Sequence, residues 1–186
     1  MAFENEVIHG YELMASQTLL ISAVAILFGP VIIWEEKRDF SFNDLECELY
    51  KGDSLLVIDN FCGMTLGEYD ELTGRGNFLF IGKVIFARNI SIVLYIFSML
   101  NWVFTWIYPE LQLSRAITLW IQQFLSISLL VNLESFLQTS DVDTYSFSNL
   151  RTRNINYVCA LYMFFMTSFF IGLYFYRFRT RGNIYK

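Results

Sequence analysis

Few side chains in this sequence have the chemistry to do more than pack, and most of those sit in or beside long apolar runs. Glu134, in Asn132-Leu133-Glu134, is a carboxylate at the edge of such a run. An ionisable group in hydrocarbon is a candidate for a proton path. At the end of a run it also reaches water or headgroups, and that structural reading is favoured here. Asn101, Gln122 and Gln123 lie deeper in the runs. Buried amides can hydrogen-bond between helices, at around 1 kcal/mol or less per pair. They read as glue facing each other across a helical hairpin, with a water-lined pore as the sharper alternative.

Cys47 and Cys62 share a long polar segment. If that segment faces an oxidising space, a disulfide would stabilise it by ~3 kcal/mol in the chain-entropy model. Facing cytosol or matrix, both stay thiols. Cys159 falls inside an apolar run and reads as a small buried hydrophobe. His9 is the only histidine, which removes most zinc, haem and triad chemistry. Asp141-Val142-Asp143-Thr144 lacks the glycine and terminal glutamate of a calcium loop. Asn89-Ile90-Ser91 is a formal glycosylation sequon, set against a hydrophobic run where an acceptor is hard to reach. Phosphate loops, glycine-rich nucleotide fingerprints and nucleophile–base pairs are missing from the sequence. No catalytic, cofactor or metal site is expected, and the chain does not read as an enzyme.

The elements that position these residues follow from composition. Of 186 residues, 55% are hydrophobic, 18% aromatic and 17% charged. A soluble domain carries nearer a quarter charged residues, and a core of this size cannot hide nineteen Phe and eleven Tyr. Disorder, a collagenous fibre and a disulfide-rich secreted module are excluded on the same numbers. The net charge of −5 leaves no basic stripe for nucleic acid. The acidic start Met-Ala-Phe-Glu-Asn-Glu lacks the marks of a secretory signal or a mitochondrial presequence.

The fold class is therefore an all-α integral membrane protein, with four transmembrane helices and a long acidic loop between helices 1 and 2. Residues 1–186 form one domain. Its spans run at about 13–34, 89–108, 116–133 and 155–176, each near the ~20 residues that cross a bilayer. The extramembrane loop covers about 35–88. Gly29-Pro30, late in the first span, predicts a kink. Leu55-Leu56-Val57-Ile58 predicts a short strand, and Gly74-Arg75-Gly76-Asn77 a turn. Phe78 to Ala87 is either a lead-in to the second span, the favoured reading, or an amphipathic helix on the membrane surface. Pro109 to Arg115 is short enough to force an antiparallel hairpin. Trp34, Trp102, Trp106, Tyr108, Tyr174 and Tyr176 sit at span ends, where amphipathic rings prefer the headgroup level. The basic residues divide between the two sides too evenly to orient the chain.

Two functions compete. The first is a non-catalytic accessory subunit of a larger multisubunit membrane complex, such as a mitochondrial respiratory-chain or other energy-transducing assembly. Its aromatic spans suit contact with neighbouring helices, and its partners are other integral membrane subunits and lipids in a hetero-oligomer of the inner mitochondrial membrane. No cofactor is expected. The second is a plasma-membrane tetraspan in adhesion or channel modulation. Four spans, a long first loop with Cys47 and Cys62, a short middle connector, a basic tail, Pro30, Trp34 and Arg88 together give a layout similar to the claudin and peripheral-myelin-protein group. That group carries Gly-Leu-Trp before the first loop cysteine, where this chain has Asp44-Leu45-Glu46-Cys47.

Overall fold

In a computed structural model, the structure describes residues 2–34, 49–58, 60–61, 64–65, 67–68, 71, 79–108, 111–137 and 154–182. Four long helices dominate: α1 (Ala2–Phe28), α2 (Leu79–Trp106), α3 (Gln112–Leu137) and α4 (Ile155–Gly182). At 1.5 Å per residue each is roughly 40 Å long, which exceeds the ~30 Å hydrocarbon core of a bilayer. Each holds a stretch apolar enough to cross a membrane: His9–Phe28, Gly82–Trp106, Gln112–Glu134 and Ile155–Tyr176. This is the layout of a multi-pass membrane protein. The helical state follows from the solvent, because in lipid every backbone N–H and C=O must be satisfied within the segment.

The helices form a four-cornered bundle. α1 packs on α2 and α4, and α3 packs on the same two, so α1 and α3 stand at opposite corners. The direction alternates from helix to helix. Glu12 and Arg115 meet at one end, and Asn156 meets the end of α1 at the other. The core holds Leu19, Ile26, Leu94, Leu129 and Met163, all essentially without exposure. Outside, Trp120 of α3 meets Phe175 of α4 edge to face, with centroids 6.4 Å apart.

The first helix ends at Phe28, six residues before Trp34, and Gly29-Pro30 terminates it instead of kinking it. Pro30 has no N–H to offer the carbonyl of Ile26, so the helical ladder stops there. Pro30–Trp34 instead forms β1, antiparallel to β2 (Leu49–Ser54), with Ile32 opposite Lys51, Trp34 opposite Leu49 and a register irregularity between Pro30 and Ile32. The strand expected at 55–58 is thus displaced. Residues 55–57 turn, Val57 N–H donating to the Ser54 carbonyl at 3.1 Å. The turn drops Leu55 and Ile58 onto the bundle end, in one buried cluster with Val84, Ala87 and Leu133. A second small ribbon pairs β3 (Asn60–Phe61) with β4 (Met64–Thr65).

The second helix begins at Leu79, ten residues before the expected Asn89, as one continuous lead-in through Lys83 and Arg88. Its end at Trp106 and the start of α3 at Gln112 leave a five-residue connector, and the two helices form a packed hairpin. α3 extends beyond the expected 116–133 at both ends. Much of the segment expected to form an acidic loop, including Cys47, Cys62 and Gly74-Arg75-Gly76-Asn77, lies outside the described residues, as does the segment 138–153.

Candidate functional site

The bundle interior carries polar residues at helical spacing. On α2 these are Ser91, Ser98, Asn101 and Thr105; on α3, Thr118, Gln122 and Ser126; on α4, Thr167. The hydroxyls solve their own desolvation locally. Ser91, Ser98 and Thr105 each donate to the carbonyl four residues back, at 2.7, 2.8 and 2.7 Å. Thr118 donates to Arg115 at 2.8 Å and Ser126 to Gln123 at 2.9 Å. These bonds let a hydroxyl sit in hydrocarbon without a partner helix.

The two glutamines bridge helices, though neither meets the other or the Asn101 side chain. Gln122, with no exposure, donates from Nε2 to Ser98 Oγ of α2 at 2.8 Å. Asn101 is buried one turn along α2, and its backbone carbonyl accepts from Thr105. Gln123 turns away from the hairpin to α4. Its Nε2 donates to Ser168 Oγ at 2.8 Å, and its Oε1 accepts from Thr167. Successive helical residues point about 100° apart, so one glutamine meets α2 and its neighbour meets α4. Tyr162 adds a link from α4 to α1 through its hydroxyl, which donates to Thr18 Oγ1 at 2.8 Å.

At the end where α1 enters, Arg115 donates to Glu12 Oε2 at 3.0 Å, with side chains only 12% and 11% exposed. His9 Nδ1 lies 3.7 Å from the same oxygen. Sequence reading missed this pair because 103 residues separate its members and each looks like an ordinary boundary charge. Alternating helix direction puts Glu12 and Arg115 at equal depth, one turn into their spans. Nearby, a shallow apolar groove of about 440 Å³ runs between α1 and α2, lined by Gly10, Tyr11, Leu13, Met14, Gln17 and Trp106.

At the opposite end α4 clamps α1. Asn156, 1% exposed, donates from Nδ2 to the carbonyls of Ile26 at 2.6 Å and Gly29 at 3.2 Å. Ile26 is the carbonyl that Pro30 leaves without a helical donor, and Leu56 N–H serves that of Leu27 at 3.3 Å. Gly29 permits the approach, since a Cβ there would lie 2.5 Å from Ile155 Cγ2 and 2.3 Å from the Ala25 carbonyl oxygen.

Glu134 is half-buried near the end of α3. Asn132 and Leu133 line a small cavity with Leu55, Ile58, Lys83, Val84 and Ala87. Cys159 is a half-buried free thiol in α4. Outside the spans, Thr65 and Glu68 form a reciprocal capping box. Glu68 Oε2 accepts from Thr65 N–H at 2.9 Å and from its hydroxyl at 2.8 Å, while Glu68 N–H donates back at 3.3 Å. The backbone N–H of Thr65, then its hydroxyl, hold the Glu68 carboxyl below the ordinary glutamate value. Among the described residues no three His, Cys, Asp or Glu gather as a metal site. The chemistry these arrangements support is therefore helix-to-helix cohesion. Comparison with protein-family models, with curated proteins and with solved structures gives no match.

Proposed function

We propose that the chain is a non-catalytic structural subunit of a larger multisubunit membrane complex, with an energy-transducing assembly of the inner mitochondrial membrane as the favoured setting. One observation carries the reading. Intramembrane amides and hydroxyls are spent on holding the chain's own four helices together, through Gln122–Ser98, Gln123–Ser168 and Tyr162–Thr18. What faces outward is large and apolar. On α3, Leu113, Ile117, Trp120, Phe124, Ile127 and Val131 are all exposed, at alternating steps of four and three residues. Such a stripe stays on one side of a helix and suits lipid and neighbouring helices alike. The α1–α2 groove fits a lipid chain, so lipids belong among the partners.

A second reading, a cell-surface tetraspan in adhesion or channel modulation, draws on the β1–β2 ribbon. Leu55 and Ile58 anchor that end of the fold to the bundle, giving the first loop a platform outside the membrane.

The deciding experiment is the native mass of the tagged full chain, extracted from its own membranes in mild detergent, with co-migrating proteins identified by mass spectrometry. Migration in an assembly far above the mass of one domain, with integral membrane partners, supports the subunit reading. Migration as a monomer or small homo-oligomer at the cell surface overturns it in favour of the tetraspan. Within an assembly, replacing both Gln122 and Gln123 by leucine should reduce incorporation and leave turnover per assembled complex unchanged.

A further inference from the structure

Gln17 stands apart from the other amides of the spans. It is exposed, and no hydrogen bond joins it to another described residue. It is the ninth of the twenty residues of the His9–Phe28 span, roughly 12 Å of helix from the nearer end. Gln122, Gln123 and Asn156 turn into the bundle and are bonded there. The exposed amides Asn89 and Gln112 lie beside Arg88 and at the first residue of α3. Thr18, the residue after Gln17, is tied to Tyr162 of α4, so α1 is held with Gln17 facing outward. An amide in hydrocarbon without a partner is costly. Acyl chains offer it neither donor nor acceptor, and its side chain is too short to reach the headgroups from that depth.

Gln17 also belongs to a seam. Gly10, Met14, Gln17, Ile21, Val24 and Phe28 are all exposed and follow one another at alternating steps of four and three residues. At this spacing two helices pack side by side, each knob entering a hole of four residues on its neighbour. For a parallel neighbour, the hole that receives its Met14 is made by Gly10, Leu13, Met14 and Gln17. Those four residues, with Tyr11 and Trp106, line the groove of about 440 Å³ between α1 and α2. The α3 stripe has the same spacing but no polar member, so nothing ties it to one occupant. We propose that two copies of this chain pair through α1, across a two-fold axis along the membrane normal, with their Gln17 amides hydrogen-bonded to each other. Two copies inserted the same way have parallel first helices, and the axis brings identical residues to one depth. Nε2 of each Gln17 then donates to Oε1 of the other. A foreign helix would need a polar group at a matching depth, whereas a second copy carries one by symmetry. A lipid chain fills the groove of a separated copy and gives way to Met14 on pairing.

The test uses the purified full chain in phosphatidylcholine vesicles. Association is read by energy transfer between donor- and acceptor-tagged copies as the lipid is diluted. Gln17→Met keeps the length of the side chain and removes its hydrogen bonds. It should raise the chain-to-lipid ratio needed for half association about tenfold, the worth of a polar contact between membrane helices. Because Gln17 touches no polar partner within its own chain, the fold should be unaffected. Independently, an Ile21→Cys variant under mild oxidation should give a disulfide between two copies of residue 21, read as the joined peptide by mass spectrometry. Phe124→Cys, exposed on the opposite corner of the bundle, should give none. A monomer at every dilution, half association unmoved by Gln17→Met, or equal cross-linking at residues 21 and 124 would overturn the pairing. So would an Ile21→Cys chain that stays single in vesicles and cross-links only to a different protein in its own membranes, which would give the seam to a foreign helix. The subunit reading is decided separately, by native mass, since a pair fits inside a larger assembly or stands alone.

Discussion

Replacing Asn156 by leucine, which has the same number and branching of side-chain heavy atoms, removes the two N–H donors that close the end of α1. The carbonyls of Ile26 and Gly29 lose bonds of 2.6 and 3.2 Å. A buried acceptor left unpaired costs about 1–3 kcal/mol. Interhelical hydrogen bonds in membrane proteins average only ~0.6 kcal/mol and reach ~1.7, because the separated helices find other partners. That rescue is closed to Ile26, whose helical donor position is occupied by Pro30. Asn156 Oδ1 finds no hydrogen-bond partner among the described residues, and its removal offsets part of the loss. The balance is a destabilisation of about 2 kcal/mol, roughly thirtyfold in the unfolding equilibrium. It should be measured by reversible unfolding of the full chain in detergent. The mechanism makes a sharper demand. In a Pro30→Ala background residue 30 regains an N–H for Ile26, so Asn156→Leu should cost markedly less there. A variant that is neutral within about 0.5 kcal/mol, or a cost unchanged by Pro30→Ala, would refute the reasoning.

Gly29→Ala should destabilise the same joint, because its methyl meets Ile155 and the Ala25 carbonyl, and α4 must retreat to admit it. Thermal unfolding in detergent checks this, with Gly10→Ala, open to space, as the neutral control. Gln123→Met should cost about 1–2 kcal/mol, since both ends of that amide are engaged. Gln122→Met should cost less, because Gln122 Oε1 has no partner among the described residues to lose; equal costs would count against the separate roles. The Thr65–Glu68 box should persist while Glu68 is ionised and be lost as pH falls through its lowered value. Thr65→Ala should return the midpoint of Glu68, followed by carbon NMR of its carboxyl, upward to the ordinary range.

Four spans were legible because runs of about twenty apolar residues leave a bilayer helix little alternative. Their ends were less so, for identifiable reasons. Val31-Ile32-Ile33 is as apolar as any helix turn, and only the missing N–H of Pro30 decides that it becomes a strand. At α2 the charges Lys83 and Arg88 suggested a boundary that the helix passes through. The two glutamines could have been separated from sequence alone by their 100° offset, but which helix each meets depends on the order around the bundle. The Glu12–Arg115 contact had no local signal, since neither span shows where along its length it will face the other. The Asn156 clamp was partly foreshadowed, because Gly29-Pro30 announces an unserved carbonyl without naming its donor.

The clamp and the ion pair also impose an order on biosynthesis. α1 leaves the ribosome first, yet Arg115 follows Glu12 by 103 residues and Asn156 follows Ile26 by 130. At ~5–20 residues per second, those partners arrive roughly 5–20 s and 7–26 s later. Throughout that interval the nascent first helix holds Glu12 near one membrane face before its arginine has been made, and the Ile26 carbonyl near the other before its asparagine has. A chain interrupted before its fourth helix keeps the second defect permanently, a chemical mark by which unfinished copies differ from finished ones.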